Sequence, residues 1–381
     1  MSVDFFPMPR LELLFTQKCN MACTYCFEPD KNQKKMTKQQ IIDFVDNISA
    51  TSLMVFGGEP LLDIDLLSTL YDAIEAKQMD ETLKQQLLKS FTLKDNLITN
   101  GTLIEKNLDI IKKYHFVLQI SIDGPKELHN LNRIYRGGAG TYDDIIKGID
   151  LCIANDIPWG VHGVLGENGF KYLPAIFDFN LMIAKKQTKG NMSEVVRILG
   201  GNMFQIMFED EYTDEGIDTF LLMQEEIFNK IFAMEDITEP QRIQLLQGWF
   251  CRHGSPCMAG NDTFSLDPDF NIYTCHRPAM DGTDSSLGNL SDRGSFHNFK
   301  YFDAYFDIDK SQKMYSAATD VNAKDRNTGF GFQQNWCPAG NFGTSGSIFY
   351  QSAKYNILLT EYTRFVRELF DYAKIPLSAT N

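Results

Sequence analysis

The chain has 381 residues, a formal net charge of −14 and an apolar fraction of 43%. This composition is typical of a soluble globular protein, and the length suffices for one large α/β domain or for a core domain with a smaller module. The acidic balance argues against a nucleic-acid partner, because a polyanion is repelled by a field of the same sign. No apolar run reaches the ~18 residues of a membrane-spanning helix, and the first ten residues lack the features of a signal peptide. We therefore expect a cytoplasmic protein with no membrane partner.

Short apolar runs alternate with helical patterns over the first two-thirds of the chain. The predicted strands are 11–16, 52–56, 96–99, 116–122, 159–165 and one within 195–208. The predicted helices are 38–48, 61–76, 103–114, 142–155, 172–185 and 213–234, with Thr37 and Thr141 as expected N-caps of two of them. Six strand-then-helix units imply an α/β fold with a parallel sheet and right-handed crossovers. Such a sheet stays open or closes as a barrel or partial barrel.

The sequence pattern changes from about residue 240. Residues 251–346 hold four cysteines and many glycines, with little long periodicity. Residues 263–275 predict a β-hairpin, and 353–372 predict a final helix. We therefore predict two domains, a core over 1–238 and a small cysteine-rich α+β extension over 239–381.

Unusual polar residues follow four of the predicted strands, where ligands of parallel sheets are expected. In chain order they are a cysteine loop, Gly57-Gly58-Glu59-Pro60, Thr99-Asn100-Gly101 and Ser121-Ile122-Asp123-Gly124.

Seven of the eight cysteines form two groups, one near each end of the chain. Clustered cysteines without an export signal indicate metal binding or catalysis rather than disulfides. Cys19, Cys23 and Cys26 lie within eight residues, and their thiolates suit an iron–sulfur cluster or zinc. Three ligands leave one iron of a [4Fe–4S] cube open for a small molecule, whereas zinc requires a fourth ligand that this segment does not supply. The eighth cysteine, Cys152, is predicted to be a buried core residue.

These motifs, in this order, resemble those of the radical S-adenosylmethionine (SAM) superfamily. The CxxxCxxC loop, with an aromatic residue before its last cysteine, is similar to the loop that holds the superfamily's SAM-binding [4Fe–4S] cluster. The resemblance implies a partial (β/α)6 TIM-type barrel with Cys19, Cys23 and Cys26 as cluster ligands. It further implies a SAM site formed by Gly57, Gly58, Glu59, Pro60, Thr99, Asn100, Ser121, Asp123 and Arg133. His129 is matched as well, and we expect it to pack or to hydrogen-bond a loop.

The C-terminal region resembles the SPASM/twitch extension of radical SAM enzymes. Cys257-Met-Ala-Gly260 is similar to its first motif, 267–275 to its hairpin and 287–290 to its LGN element, although Phe270 stands where a glycine is usual. The resemblance implies one auxiliary [4Fe–4S] cluster, since the cysteine run for a second is missing. It anchors Cys257 and Cys275 as ligands, and Cys251 and Cys337 complete four. Zinc at this site, and His253 or His276 in place of one cysteine, stay open.

The resemblance also implies the chemistry. SAM is cleaved reductively to methionine and a 5′-deoxyadenosyl radical, which abstracts hydrogen from a peptide or protein side chain. The alternatives are a twitch-type dehydrogenase of a small molecule and a non-catalytic metal-binding protein. We expect a flavodoxin- or ferredoxin-type reductant, for which the basic loop 31–38 is the candidate docking segment. The sequence names no general acid or base.

Overall fold

The computed structural model describes the strands, most of the helices and the loops that connect them. The described residues are 10–26, 28, 34–47, 53–76, 97–200, 204–206, 212–250, 263–273, 275–276, 279, 286, 288–289 and 353–375. The strands are β1 Arg10–Thr16, β2 Leu53–Gly57, β3 Leu97–Thr99, β4 Leu118–Ser121, β5 Trp159–Leu165, β6 Phe204–Ile206, β7 Thr263–Leu266, β8 Asn271–Tyr273 and β9 Gly288–Asn289. The helices are α1 Lys38–Asn47, α2 Ile64–Ala76, α3 Leu108–Lys113, α4 Lys126–Asn132, α5 Tyr142–Ala154, α6 Leu173–Gln187, α7 Met192–Leu199, α8 Asp214–Phe232, α9 Glu239–Phe250 and α10 Ala353–Ala373.

The chain divides into two compact units built from alternating segments. The first unit comprises Met1–Ser121, Asn130–Val161 and Met258–Ser316, and the second comprises Ile122–His129, His162–Cys257 and Ala317–Asn381. The predicted domain boundary after residue 238 stays a prediction.

A mainly parallel sheet forms the centre of the first unit. Its strand order is β4-β3-β2-β1-β7-β8-β9, and β1 to β4 pair in parallel in the order of the chain. Six of the seven residues of β1 are buried, as expected for a strand covered on both faces. The predicted hairpin is present: β7 pairs antiparallel with β8 and also adds to β1 in parallel. The α/β fold with a parallel sheet is therefore confirmed, and it is consistent with a partial TIM-type barrel.

Aromatic side chains fill the core of the second unit. The ring of Phe220 on α8 lies 4.9 Å from the ring of Phe170 and 5.5 Å from that of Tyr362 on α10. The residues that end β5 pair in parallel with β6, so the sixth predicted strand exists. The final predicted helix, α10, packs its buried face into this core.

Three helices were not predicted, and each has a weak or misleading pattern. Helix α7 occupies the first half of the 195–208 segment, and α4 is a short helix in a loop region. Helix α9 crowds its buried side chains into its last half, so it lacks a regular apolar stripe.

One of the two predicted caps is confirmed and the other is wrong. The Thr37 hydroxyl accepts from Gln40 N, and the Gln40 side chain accepts from Thr37 N, which makes a capping box for α1. The Thr141 hydroxyl instead donates to Arg133 O at 2.8 Å. Asn130 Oδ1 accepts from Tyr142 N in its place, at 3.1 Å.

Two further sequence-based expectations concern burial and membranes. Cys152 is fully buried in α5, as predicted, and burial raises the pKa of its thiol to about 12. Among the described residues, no helix is long and apolar enough to cross a membrane.

Candidate active site

The cysteine loop leaves the sheet at the end of β1 and is closed at its base by the segment that returns to α1. Gln17 N donates to Lys34 O, and Met36 N donates to Phe15 O. The buried carboxylate of Asp63 accepts from the Thr16 hydroxyl at 2.7 Å and from Lys35 Nζ at 2.6 Å. The base of the loop is thus fixed by backbone pairing and by one shared carboxylate.

The tip of the loop is held from the other side by the segment that carries Arg133. Backbone hydrogen bonds run from Ala22 N to Ile134 O and from Thr24 N to Asn132 O. Arg136, which the sequence analysis missed, donates from Nε to Cys19 O at 3.0 Å. The first cysteine and this arginine segment therefore form one local structure, although more than a hundred residues separate them along the chain.

Gly57 and Gly58 lie at the end of β2, against the backbone that leads into the cysteine loop. Gly58 N donates to Thr16 O at 2.9 Å. A Cβ atom at either glycine would overlap a backbone carbonyl oxygen, that of Thr16 for Gly57 and that of Lys18 for Gly58. The absence of side chains here is required by the approach of the chain itself, a reason that the sequence pattern did not reveal.

Glu59 connects the end of β2 to the end of β3. It is fully buried and caps the short 3₁₀ helix Pro60–Asp63 by accepting from Leu61 N at 2.9 Å. It also accepts from the Thr99 hydroxyl at 2.7 Å and from Asn100 N at 2.7 Å. Burial raises the pKa of Glu59 to about 7, against these three hydrogen bonds, which lower it. The carboxylate thus fixes local backbone, one of the two roles that its position allows.

Three polar side chains form a closed ring of hydrogen bonds beside Cys19. Asn100 Nδ2 donates to Asn20 Oδ1 at 2.9 Å, Asn20 Nδ2 donates to Thr102 Oγ1 at 2.9 Å, and the Thr102 hydroxyl donates to Asn100 Oδ1 at 2.7 Å. We call Asn20, Asn100 and Thr102 the amide ring. Asn20 and Thr102 were not predicted; their only signal is that they directly adjoin Cys19 and the Thr99–Gly101 motif.

The cysteines themselves fit an iron–sulfur cluster. Cys19 is buried, whereas Cys23 and Cys26 are half-buried on the loop. Cys19 Sγ accepts from Met21 N at 3.4 Å and from Asn100 Nδ2 at 3.9 Å, and N–H donors directed at a sulfur are typical of cluster ligands. Within the part of the chain that the structure describes, no three His, Cys, Asp or Glu side chains converge on a single metal ion. A [4Fe–4S] cube takes one thiolate per iron, so its ligands stand further apart.

The structure divides the predicted residues that follow β4 between the two units. Ser121 ends β4 in the first unit, and the nearly buried Arg133 guanidinium lies 5.3 Å from the centre of the Tyr25 ring there. Asp123 belongs to the second unit, where its Oδ1 accepts from Val164 N at 3.0 Å. His129 Nδ1 accepts from Asp123 N at 3.3 Å, so His129 hydrogen-bonds a loop, as expected. The predicted contacts of Ser121, Asp123 and Arg133 with SAM stay predictions.

Of the predicted auxiliary ligands, the structure describes Cys275 alone; Cys251, Cys257 and Cys337 lie outside the described residues, as does His253. Glu12 on β1 holds the residue after Cys275: its Oε2 accepts from His276 N at 2.7 Å and lies 3.1 Å from His276 Nδ1. Burial opposes both charges, but the pair outweighs it, so the pKa of Glu12 is lowered and that of His276 is raised. A residue of β1 thereby positions the Cys275 segment.

Comparisons with known proteins agree with this geometry. Residues 13–179 match the model of the radical SAM superfamily. An uncharacterised protein of Methanocaldococcus jannaschii is 31% identical over 171 residues, which cover 44% of this chain and 56% of that protein. The cysteine-type anaerobic sulfatase-maturating enzyme of Clostridium perfringens is 26% identical over 188 residues, 45% of this chain and 49% of the enzyme. The matches thus span about half the length of these curated relatives.

The fold is similar to that of a solved structure over nearly the whole chain. The structure of native anSMEcpe with bound AdoMet and the Cp18Cys peptide has a TM-score of 0.63, with 19% identity, over 96% of this chain and 99% of that one. The match to the superfamily model contains the cysteine loop, the Gly57–Pro60 and Thr99–Gly101 motifs and Arg133. Residues 13–179 of this chain are therefore a radical SAM superfamily domain.

Proposed function

We propose that this protein cleaves SAM reductively and uses the resulting 5′-deoxyadenosyl radical to abstract hydrogen from a peptide or protein side chain. The observation that carries the proposal is the assembly of the cysteine loop, the Gly57–Pro60 motif and the Thr99–Gly101 motif at one edge of the sheet. When bound, the [4Fe–4S] cluster supplies the electron that breaks the SAM sulfonium bond. The radical then takes a hydrogen atom from a substrate C–H bond, which leaves 5′-deoxyadenosine and a substrate radical.

The protein's own residues would hold the reacting groups in place. Cys19, Cys23 and Cys26 would ligate the cluster and leave one iron for SAM. Arg133 would clamp the SAM carboxylate, because a guanidinium can bond both oxygens at once. Asp63 and Arg136 would keep the loop rigid from its two sides, so that the open iron stays in one position.

A peptide or protein substrate is supported by the relatives. One of them is named for the maturation of sulfatases, and anSMEcpe was solved with a peptide. We propose that the C-terminal region carries one auxiliary cluster on Cys251, Cys257, Cys275 and Cys337. The contact of Glu12 with His276 supports this, since it fixes the segment of Cys275 to the same strand that leads to Cys19.

The reductant is proposed to be a flavodoxin or ferredoxin that docks at the basic loop. Two lysines of that loop have carboxylate partners within the chain: Lys34 pairs with Asp269, and Lys35 pairs with Asp63. The exposed Lys38 is therefore the side chain to reverse in charge. Lys38→Glu should slow reduction by flavodoxin, while Lys147→Glu on α5 should not; equal rates for Lys38→Glu and wild type would exclude this docking site.

Deuterium transfer tests the proposed function and its substrate class together. The reconstituted protein is incubated anaerobically with SAM, a reductant and an extract of deuterated host cells, separated by size into a peptide and protein fraction and a small-molecule fraction. We expect 5′-deoxyadenosine that carries deuterium from the peptide and protein fraction. Deuterium from the small-molecule fraction alone would favour the dehydrogenase alternative, and no 5′-deoxyadenosine from any mixture would contradict SAM cleavage.

A further inference from the structure

The orientation of the Asn100 amide is fixed by an unambiguous donor. The backbone N–H of Thr102 can only donate, and it points at Asn100 Oδ1 at 3.0 Å. The oxygen is thus the atom on that side, and the amide NH₂ must face Cys19 Sγ, at 3.9 Å, and Asn20 Oδ1, at 2.9 Å. The hydroxyl of Thr102 adds a second donor to the same oxygen, at 2.7 Å.

The side chain is also fixed in place from below. Asn100 is nearly buried, and its backbone N–H donates to the buried carboxylate of Glu59 at 2.7 Å. A donor with so little freedom keeps its direction when the charge on the neighbouring sulfur changes, which is the condition for electrostatic preorganisation.

We propose that Asn100 is a positioning residue that donates a hydrogen bond to the Cys19 ligand of the cluster and thereby raises its reduction potential, with Asn20 and Thr102 orienting the amide. The inference rests on the proposed cluster at Cys19, Cys23 and Cys26. Reduction adds negative charge to the cluster and its sulfur ligands, so a donor to one of them stabilises the reduced state. Loss of the donor shifts the potential to more negative values.

Two substitutions of Asn100 and one of Thr102 separate this role from general packing. Asn100→Asp keeps an acceptor for Thr102 but turns a carboxylate oxygen towards the sulfur. Asn100→Ala removes the donor without adding charge. Thr102→Val is the matched control: it opens the amide ring but leaves the Thr102 backbone N–H and the Asn100 amide in place.

The measurement is a redox titration followed by electron paramagnetic resonance of the cluster signal that responds to SAM. We expect the potential to fall in the order wild type, Asn100→Ala, Asn100→Asp, with Thr102→Val close to wild type. An unchanged potential in a loaded Asn100 variant, or an equal shift in Thr102→Val, would overturn the inference. Folded Asn100 variants that load no cluster would also overturn it, because Asn100 would then be needed to form the site. A wild-type triad without a cluster would refute the proposed function itself.

Discussion

At the scale of single residues, most of the motif side chains hold the protein's own backbone. Gly57 and Gly58 admit the start of the cysteine loop, and Glu59 binds three donors from two strand ends. The sequence could predict that these positions matter, because the motifs are local. It could not predict the hydrogen-bond partners, since Asn20 meets Asn100 only when β1 and β3 lie in the same sheet.

Gly58→Ala tests the close approach of the two chains. The new Cβ would overlap Lys18 O, so the cysteine loop must shift, and we expect a loss of about 1–3 kcal/mol in the free energy of unfolding together with reduced iron loading. Gly160→Ala is the control, because its Cβ would meet no atom within 4 Å. Denaturant unfolding and iron analysis give the two values; a Gly58→Ala protein that matches the Gly160→Ala protein in both would contradict the role given to Gly58.

Glu59 should make the stability depend on pH. Its pKa is about 7 in the folded chain and 4.5 ordinarily, so between these values the folded state holds a proton that the unfolded state has lost. This contribution is fully present below pH 4.5 and is lost as the pH rises to 7, with a total of roughly 3 kcal/mol. Glu59→Gln lacks it.

Urea unfolding of wild type and Glu59→Gln from pH 5 to pH 8 measures the difference. We expect the wild type to lose stability relative to the variant as the pH rises. Glu105→Gln, at an exposed glutamate of the same unit, controls for the removal of one carboxylate. Curves for wild type and Glu59→Gln that stay parallel would show that the pKa of Glu59 is not raised.

At the scale of elements, the hairpin β7–β8 shows how a departure from a family pattern is accommodated. Phe270 adopts φ +64° where a glycine is usual, and its side chain is buried. The Asp267 carboxylate holds the turn by accepting from Asp269 N and Asn271 N, each at 2.9 Å. The sequence predicted the hairpin because its turn residues are local, whereas α7 and α9 were missed because their apolar residues lack a clear helical period.

Substitutions of Phe270 should reverse the usual order of alanine and glycine. Phe270→Ala loses apolar burial, at a cost of about 3 kcal/mol in the free energy of unfolding. Phe270→Gly loses the same burial but relieves the left-handed backbone, so we expect it to be more stable than Phe270→Ala by about 1 kcal/mol. Chemical denaturation of the two variants gives the difference; an alanine variant that is the more stable would mean that the backbone is not strained.

At the scale of the whole molecule, the chain brings distant segments to one strand. β1 pairs with β2 on one side and on the other with β7, some 250 residues later in the chain. Alternating strands and helices predicted the parallel sheet, because each unit is local. The pairing of β7 with β1 and the interleaved composition of the two units depend on long-range contacts, which no periodicity in the sequence records.

This arrangement connects the two predicted metal sites through one element. β1 leads directly into the loop of Cys19, and Glu12 in its middle holds His276, the neighbour of Cys275. The central claim of the account is therefore that Cys19, Cys23 and Cys26 form one cluster site and that the C-terminal cysteines form another.

Iron and sulfide content after anaerobic reconstitution tests that claim most directly, in wild type and in a Cys19→Ala, Cys23→Ala, Cys26→Ala triple variant. The account predicts about eight irons per chain in wild type and about four in the triple variant. About four in wild type and none in the variant would remove the auxiliary cluster and leave the SAM-cleaving site. A triple variant that retains the full iron content of wild type would contradict the assignment of the cluster to these three cysteines.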